Sequence, residues 1–325
     1  MQTLNDPAIL FFVFGMVAGL VKSNLEIPPP ISRFLSLYLL MALGLKGGFA
    51  LAKSGMTLEV VISLGAALFL AILVPIVGYL VLRKWVSQLD AAAIAATYGS
   101  VSAVTFITAV QTLDNNGIPY GGHMAAAMAL MESPAILLAV ALATHARLQS
   151  ATQTGVDSKA LDRPSSFHVL REALTDGAQL LLLGAMLIGI LTGASGQAAM
   201  KPFSIDLFKG MLAFFLLDMG LQAARNMGQL KGQSAWLLVY AISAPLVHSS
   251  VALLLGGLLG MAPGNVILLM VLAASASYIA VPAVLRHAIP EANPSLYLGL
   301  SLGLTFPFNI LIGISLYIHM ANVWL

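Results

Sequence analysis

A Ser-x-Ser motif occurs twice in this chain, at positions 100–102 and 275–277, each time inside an apolar stretch. Hydrocarbon offers a hydroxyl group no hydrogen-bond partner, so paired hydroxyls in such stretches indicate a polar site buried among helices. The two copies lie 175 positions apart. A duplicated motif in the middle of two matching segments therefore predicts one site built from both copies.

Residues beside each motif favour a break in the helix. Gly99 precedes the first copy, where glycine lowers the cost of a broken turn. Pro282 follows the second copy and removes a backbone donor, which predicts a kink or break near Ile279. Broken half-helices present N–H groups that attract an anion, and their freed carbonyls can hold Na⁺. The alternative is structural: the hydroxyls bond to carbonyls of their own helices or allow close helix packing.

Glu132 lies in the middle of another apolar stretch, next to Ser133 and Pro134. An unpaired buried carboxylate is costly, so this group should be paired, bound to a metal ion or protonated. One interpretation is a group that couples transport to a cation or a proton. The other is a protonated carboxyl bonded to a neighbouring helix. In the matching half, Thr305 and Asn309 supply neutral oxygen atoms.

Three further polar residues lie deep in apolar stretches. Asp218 and Lys46 occupy comparable depths, and either they pair with each other or Lys46 extends outward to water. His248 is either a satisfied core histidine or a group that titrates near neutral pH.

Composition identifies a membrane protein. The 325 residues are 59% hydrophobic and 9% charged, whereas soluble domains carry about 25% charged residues. Cysteine is absent, which excludes disulfides, thiolate metal sites and cysteine catalysis. No phosphate-binding loop or nucleophile elbow is visible, and the net charge of +2 gives no basis for nucleic-acid binding. We therefore expect neither an enzyme nor a cofactor other than a coupling ion.

Hydropathy predicts an all-α polytopic membrane protein with ten spans, since a crossing needs about 20 apolar residues. The predicted spans are 7–24, 31–53, 58–83, 91–113, 121–147, 171–195, 203–225, 233–260, 265–287 and 295–322. A polar linker divides them five and five. The predicted domains are a first repeat over 1–148, a cytoplasmic linker over 149–170 and a second repeat over 171–325.

The two halves also match at glycine and proline positions, with offsets between 173 and 176. The matched positions are Gly15 with Gly189, Gly19 with Gly193, Gly44 with Gly220, and Pro134 with Pro307. Because each half has an odd number of spans, the repeats should have opposite orientations in the bilayer. Inverted repeats of this kind are typical of secondary transporters.

Lysine and arginine predict the orientation. Eleven of the 15 lie on one side of the predicted spans and four on the other. The richer side should be cytoplasmic. We therefore expect a multi-pass protein of the bacterial inner (plasma) membrane, with both termini outside and the linker inside.

Several segments resemble the sodium-dependent bicarbonate transporter family over nearly the whole chain. They are Gly99-Ser-Val-Ser102, Met131-Glu-Ser-Pro-Ala135, Ala244-Pro-Leu-Val-His248 and the run from Leu285 to Ser295. The resemblance implies an elevator-type importer of bicarbonate with Na⁺, assembled as a homotrimer and regulated by a PII-like protein at its cytoplasmic face. It implies a gate domain from spans one, two, six and seven, and a core domain from the other six. Spans four and nine would be the broken crossing helices.

The resemblance also assigns the site by position. The implied substrate-binding residues are Ser100, Val101, Ser102, Thr105, Ser275, Ala276, Ser277 and Tyr278. The implied cation-coupling residues are Glu132, Ser102, Thr105, Ser277, Thr305 and Asn309, with Na⁺ at Glu132.

Several positions depart from the family pattern. Tyr278 stands where the family has Asp, Ala280 where it has Ser, and Ala103-Val104 interrupt the S-G-S-T pattern. Glu132 replaces another Asp and keeps the carboxylate, and the central linker is also shorter. The missing Asp keeps two alternatives open: a proton-coupled or Na⁺-coupled transporter of another small anion, or a transporter-like sensor.

Overall fold

The computed structural model describes residues 6–154, 177–230 and 232–325, and every regular element in these ranges is helical. The helices are α1 (Pro7–Leu20), α2 (Pro29–Ser54), α3 (Leu58–Leu82), α4 (Gln88–Gly99), α5 (Ala103–Asn115), α6 (Met124–Thr154), α7 (Gly177–Lys201), α8 (Phe208–Met227), α9 (Ala235–Leu258), α10 (Pro263–Ala274), α11 (Ala280–Ala288) and α12 (Pro294–Trp324). Two turns of α12, Ser301–Thr305 and Asn309–Gly313, are π-helical.

Local sequence signals set several helix starts. Pro7 occupies the first turn of α1, and the Asp6 carboxylate accepts a hydrogen bond from Ala8 N at 2.8 Å. Ser87 caps α4 in the same way through Asp90 N at 3.1 Å. These side chains satisfy amide groups that have no partner within the helix.

Within these ranges, seven helical segments are long and apolar enough to cross a membrane, and α1 and α10 are shorter apolar helices. One of the seven, Gly177–Leu230, has 54 residues, and a straight helix of that length would span about 80 Å. The predicted gap between spans six and seven is helical because Ala198, Ala199 and Met200 are good helix formers. The backbone instead departs from helical geometry at Gly193, where φ is 52°.

Helix α6 extends six residues into the predicted linker, which the sequence placed at 149–170. Residues 149–154 continue α6, since no glycine or proline interrupts the chain between Pro134 and Gly155. Positions 155–170 of the linker lie outside the described residues.

Glycine allows two helix pairs to approach closely. Gly15 and Gly220 lie on opposite sides of the α1–α8 contact, and a Cβ on either would overlap the backbone of the facing helix. The α2–α7 contact is built in the same way. A Cβ would overlap the backbone of the facing helix at Gly44 and Gly48 on α2 and at Gly189 on α7. Small residues are the usual means of close packing between helices in lipid.

The helices α1, α2, α7 and α8 pack together through these contacts, and the helices α3–α6 and α9–α12 form a second packing group. Its two inner helices are enclosed, since residues 91–99 of α4 and 264–274 of α10 are buried without exception. The Gly99 Cα lies against the Pro75 ring of α3, where a Cβ would have 2.7 Å contacts. Because these helices are apolar on all sides, they fit an interior position.

Candidate functional site

Both Ser-x-Ser motifs interrupt their helices, as the flanking glycine and proline predict. The first break separates α4, which ends at Gly99, from α5, which begins at Ala103. The second separates α10, which ends at Ala274, from α11, which begins at Ala280. Residues 100 and 275 have extended backbones, with ψ of −176° and 164°.

The two breaks contact each other directly. Ser102 N donates to Ser275 Oγ at 3.0 Å, and Ser277 N donates to Thr97 O at 2.8 Å. Each break thus leaves backbone groups without a partner in their own helix, and groups at or beside the other break form hydrogen bonds with them. These bonds offset the cost of burying unpaired amides and carbonyls.

Serine hydroxyls also cap the helices that follow each break. Ser102 Oγ accepts hydrogen bonds from Thr105 N at 3.2 Å and from Thr105 Oγ1 at 3.0 Å. Ser277 Oγ accepts from Val281 N at 3.3 Å. The N-terminal ends of α5 and α11 are therefore held where the two breaks meet, and both ends carry partial positive charge.

A cavity of about 70 Å³ lies at these two ends. This space exceeds the roughly 10–15 Å³ that one water molecule requires, and it suits a small polyatomic ion. The predicted site residues that line it are Val101, Ser102, Glu132, Ser277 and Tyr278. The opposite wall comes from α2 and α7, through Ser36, Leu40, Ala178, Gln179 and Leu182. We call this space the break cavity.

Glu132 faces the break cavity from α6 and accepts a 2.6 Å hydrogen bond from Gln179 Nε2 on α7. The sequence prediction did not include Gln179 or Ser36. Gln179 was detectable as the last polar residue before the apolar run 180–183, whereas Ser36 carries no distinguishing pattern.

Four other predicted ligands do not line the break cavity. Ser275 and Thr105 take part in the hydrogen bonds across and beside the breaks. Ala276 is buried. Ser100 is also buried, and its hydroxyl has no hydrogen-bond partner among the described residues. A substrate contact by any of these side chains stays a prediction.

Thr305 and Asn309 lie behind the breaks, on α12. Thr305 Oγ1 donates to Ala241 O at 2.7 Å and shares a 2.6 Å hydrogen bond with the Tyr98 hydroxyl. Asn309 Nδ2 donates to Ala274 O at 2.9 Å, which satisfies a carbonyl freed at the end of α10. Their oxygen atoms are engaged in structural bonds, and their role as cation ligands stays a prediction.

A second cavity, of about 450 Å³, lies between the later part of α2 and the later part of α5. Lys46 Nζ forms a 2.8 Å ion pair there with Asp114, which also accepts a 2.9 Å hydrogen bond from the Tyr120 hydroxyl. Burial, together with the Asp114 charge, raises the pKa of Tyr120, so the phenol keeps its proton. Lys46 therefore does not pair with Asp218, and that interpretation was wrong.

We expect the Lys46–Asp114 pair to contribute modestly to stability, because both side chains retain contact with water. The Lys46 ammonium lies 5.0 Å from the Phe208 ring centre. Lys46→Met removes this charge and keeps the packing of the aliphatic side chain. Asp114→Asn removes the negative charge and keeps the side-chain shape. A double-mutant cycle on thermal unfolding in detergent should give a coupling of about 0.2–1 kcal/mol. Additive single effects would contradict this.

One comparison decides the family. Residues 7–322 match the model of the Na⁺-dependent bicarbonate transporter superfamily. The chain belongs to this superfamily. It is therefore a membrane-embedded member of a transporter family. No individual characterised protein gives a significant match to the chain.

Proposed function

We propose that this superfamily member imports bicarbonate together with Na⁺ and binds the anion in the break cavity. The observation that carries this proposal is the meeting of two helix N-termini, those of α5 and α11, at one cavity. Ala103 and Ala280, the first residues of these helices, both line it. Helix N-termini offer backbone N–H donors and a favourable potential to an anion.

Hydroxyl groups complete the proposed anion site. Ser102 and Ser277 line the cavity beside the helix ends, and their hydroxyls can donate to an oxyanion while they accept from backbone amides. The wall formed by Leu40, Val101 and Leu182 is apolar. A site with few polar groups in an apolar wall strengthens each hydrogen bond to the ion, because little water competes there.

We place the coupling Na⁺ near Glu132. Its carboxylate faces the same cavity as the proposed anion, so a cation bound there would offset the charges of both. Sodium prefers oxygen ligands, and the free hydroxyl of Ser100 is a further buried oxygen at the first break. Thr305 Oγ1 donates to Ala241 O, and Asn309 Oδ1 accepts a 2.7 Å hydrogen bond from the Tyr317 hydroxyl, so each oxygen would ligate a cation in addition to, or in place of, that bond.

The proposed transport motion is of the elevator type, with ten crossings in two inverted repeats. The break cavity has one wall from the two breaks, α5, α6 and α11, and the other from α2 and α7, which fits a substrate held between a moving core and a static gate. The glycine contacts support the repeat. Exchanging the halves converts the α1–α8 contact, which contains Gly15 and Gly220, into the α7–α2 contact, which contains Gly189 and Gly44.

Assembly and topology are further parts of the proposal. The homotrimer and the PII-like cytoplasmic partner follow from the resemblance stated above. The bacterial inner membrane and the outward position of both termini follow from the distribution of lysine and arginine.

Uptake of labelled bicarbonate into proteoliposomes tests the proposal. We expect an inward Na⁺ gradient to accelerate uptake at least tenfold over equal K⁺. Glu132→Gln, which keeps the side-chain shape and a partner for Gln179, should abolish the Na⁺ effect. Asp206→Asn, an exposed site remote from the cavity, is the matched control.

Three outcomes would contradict parts of the proposal. Equal uptake with and without the gradient would exclude Na⁺ coupling. Uptake of another anion but not of bicarbonate would exclude the substrate. Absence of uptake of any small anion would favour a sensor with a transporter fold.

A further inference from the structure

A buried carboxylate lies in the gate, outside the proposed anion and Na⁺ sites. Asp218 is in the middle of α8 and is 4% exposed. An ionisable group at such a depth is costly and marks a functional position by default. Neither Lys46, which pairs with Asp114, nor the break cavity accounts for Asp218.

The hydrogen bonds of Asp218 leave one oxygen atom available. Ser32 Oγ on α2 donates to Oδ2, and Gln222 Nε2 donates to the same oxygen at 2.9 Å. Within the described part of the chain, Oδ1 accepts no hydrogen bond. Both donors stabilise the ionised form through Oδ2, and Oδ1 is the atom at which a proton can bind.

The surroundings of Asp218 contain few charges. Arg225, two turns later on α8, is the cation that acts on the carboxylate, and Tyr278 is the titratable group that faces it from the second break. The helices packed against this part of α8 contribute uncharged groups among the described residues: Phe12 from α1, Ser32 from α2 and Phe306 from α12. A change in the charge of Asp218 is therefore weakly screened.

Tyr278 connects Asp218 to the break cavity. Its ring lines the cavity and packs at 5.0 Å from the Phe306 ring. Its hydroxyl donates to Met219 Sδ at 3.8 Å, next to Asp218 in the chain. Because the phenol lies within electrostatic reach of Asp218, the cavity that holds the proposed anion also lies close to this carboxylate.

We propose that Asp218 is a proton-binding site of the gate, and that its charge sets the affinity of the break cavity for the anion. In this step Oδ1 takes a proton from water and the carboxylate becomes a neutral carboxylic acid, with no other bond changed. The ionised form repels an anion in the cavity and the neutral form does not. Anion binding should therefore strengthen as the pH falls. This inference rests on the proposed function.

The first test measures the bicarbonate concentration that gives half-maximal uptake, from about pH 5 to 8.5, at a fixed Na⁺ gradient, so that the range extends down toward the ordinary titration range of a carboxyl group. We expect this concentration, expressed as bicarbonate ion, to rise severalfold with pH in the unaltered protein and in Asp206→Asn. In Asp218→Asn it should stay at the low-pH value. The same pH dependence in Asp218→Asn would overturn the inference, since conversion of bicarbonate to CO₂ is common to all variants.

The second test is independent of transport. Infrared difference spectra across the same pH range should contain a carboxylic-acid carbonyl band that is absent in Asp218→Asn. Ser32→Ala, which removes one donor to the carboxylate, should move the titration of this band to higher pH. Absence of such a band would overturn the proton site, even if the protein transports no anion. If the band is present but uptake is absent, the proposed function fails and the proton site stands.

Discussion

Uptake of bicarbonate is expected to fall at least tenfold in Ser102→Ala and to persist in Ser102→Thr. The hydroxyl of Ser102 caps α5 through Thr105 N and lines the break cavity. Loss of an N-cap costs about 1 kcal/mol, and loss of a hydrogen bond to a charged ligand costs about 1.5–3 kcal/mol. The second cost alone exceeds the 1.4 kcal/mol that corresponds to a tenfold change in binding, whereas the first lowers the stability of the fold.

Threonine is the matched control because it keeps the hydroxyl and fits the local backbone. Residue 102 has φ −103° and ψ 110°, a conformation that β-branched residues adopt readily. Initial uptake rates and melting temperatures should be measured together for both variants. Equal uptake in Ser102→Ala and the unaltered protein would contradict a substrate contact by this hydroxyl. Its only remaining role would then be that of N-cap of α5.

Gly48→Val is expected to destabilise the protein strongly, because it separates α2 from α7. A Cβ on Gly48 would lie 2.9 Å from the Gly189 Cα and would overlap the Met186 carbonyl oxygen. These are backbone atoms, which cannot rotate away as a side chain can. Overpacking of a close contact costs about 1–3 kcal/mol, and rigid backbone places this case at the upper end or beyond. The melting temperature in detergent measures the effect.

Gly184→Val is the control, on α7 itself. A Cβ at Gly184 has no atom within 4 Å, so the same change of residue type should leave the melting temperature nearly unaltered. Similar losses in both variants would indicate that glycine acts through helix propensity rather than through contact between α2 and α7.

Helix content and the breaks follow from local chemistry, and for this reason the sequence predicts them. Long apolar runs require helices in lipid, since a helix satisfies all of its own backbone groups. Gly99 and Pro282 weaken the helix locally, and both breaks lie beside them. The sequence predicts a gap between spans six and seven at 196–202, whereas the chain stays helical through Lys201 and then forms a π-helical turn at residues 202–206.

The partners of the polar residues could not be predicted in the same way. Lys46 pairs with Asp114 and Glu132 bonds to Gln179, contacts that join residues 68 and 47 positions apart. The sequence allowed a pair between Lys46 and Asp218 only because both residues lie deep in apolar runs. Depth along one helix does not specify which face meets which neighbour.

By itself, then, the sequence determined an all-helical membrane protein of the Na⁺-dependent bicarbonate transporter superfamily, with two interrupted helices at the serine motifs. Only the tertiary structure decided which side chains share the break cavity and which are used in structural bonds. Ser102 and Ser277 line it, whereas Thr305 and Asn309 bond to carbonyls behind it. The physical reason is that backbone preferences act over a few residues, whereas a cavity arises from the packing of helices that are distant in the chain.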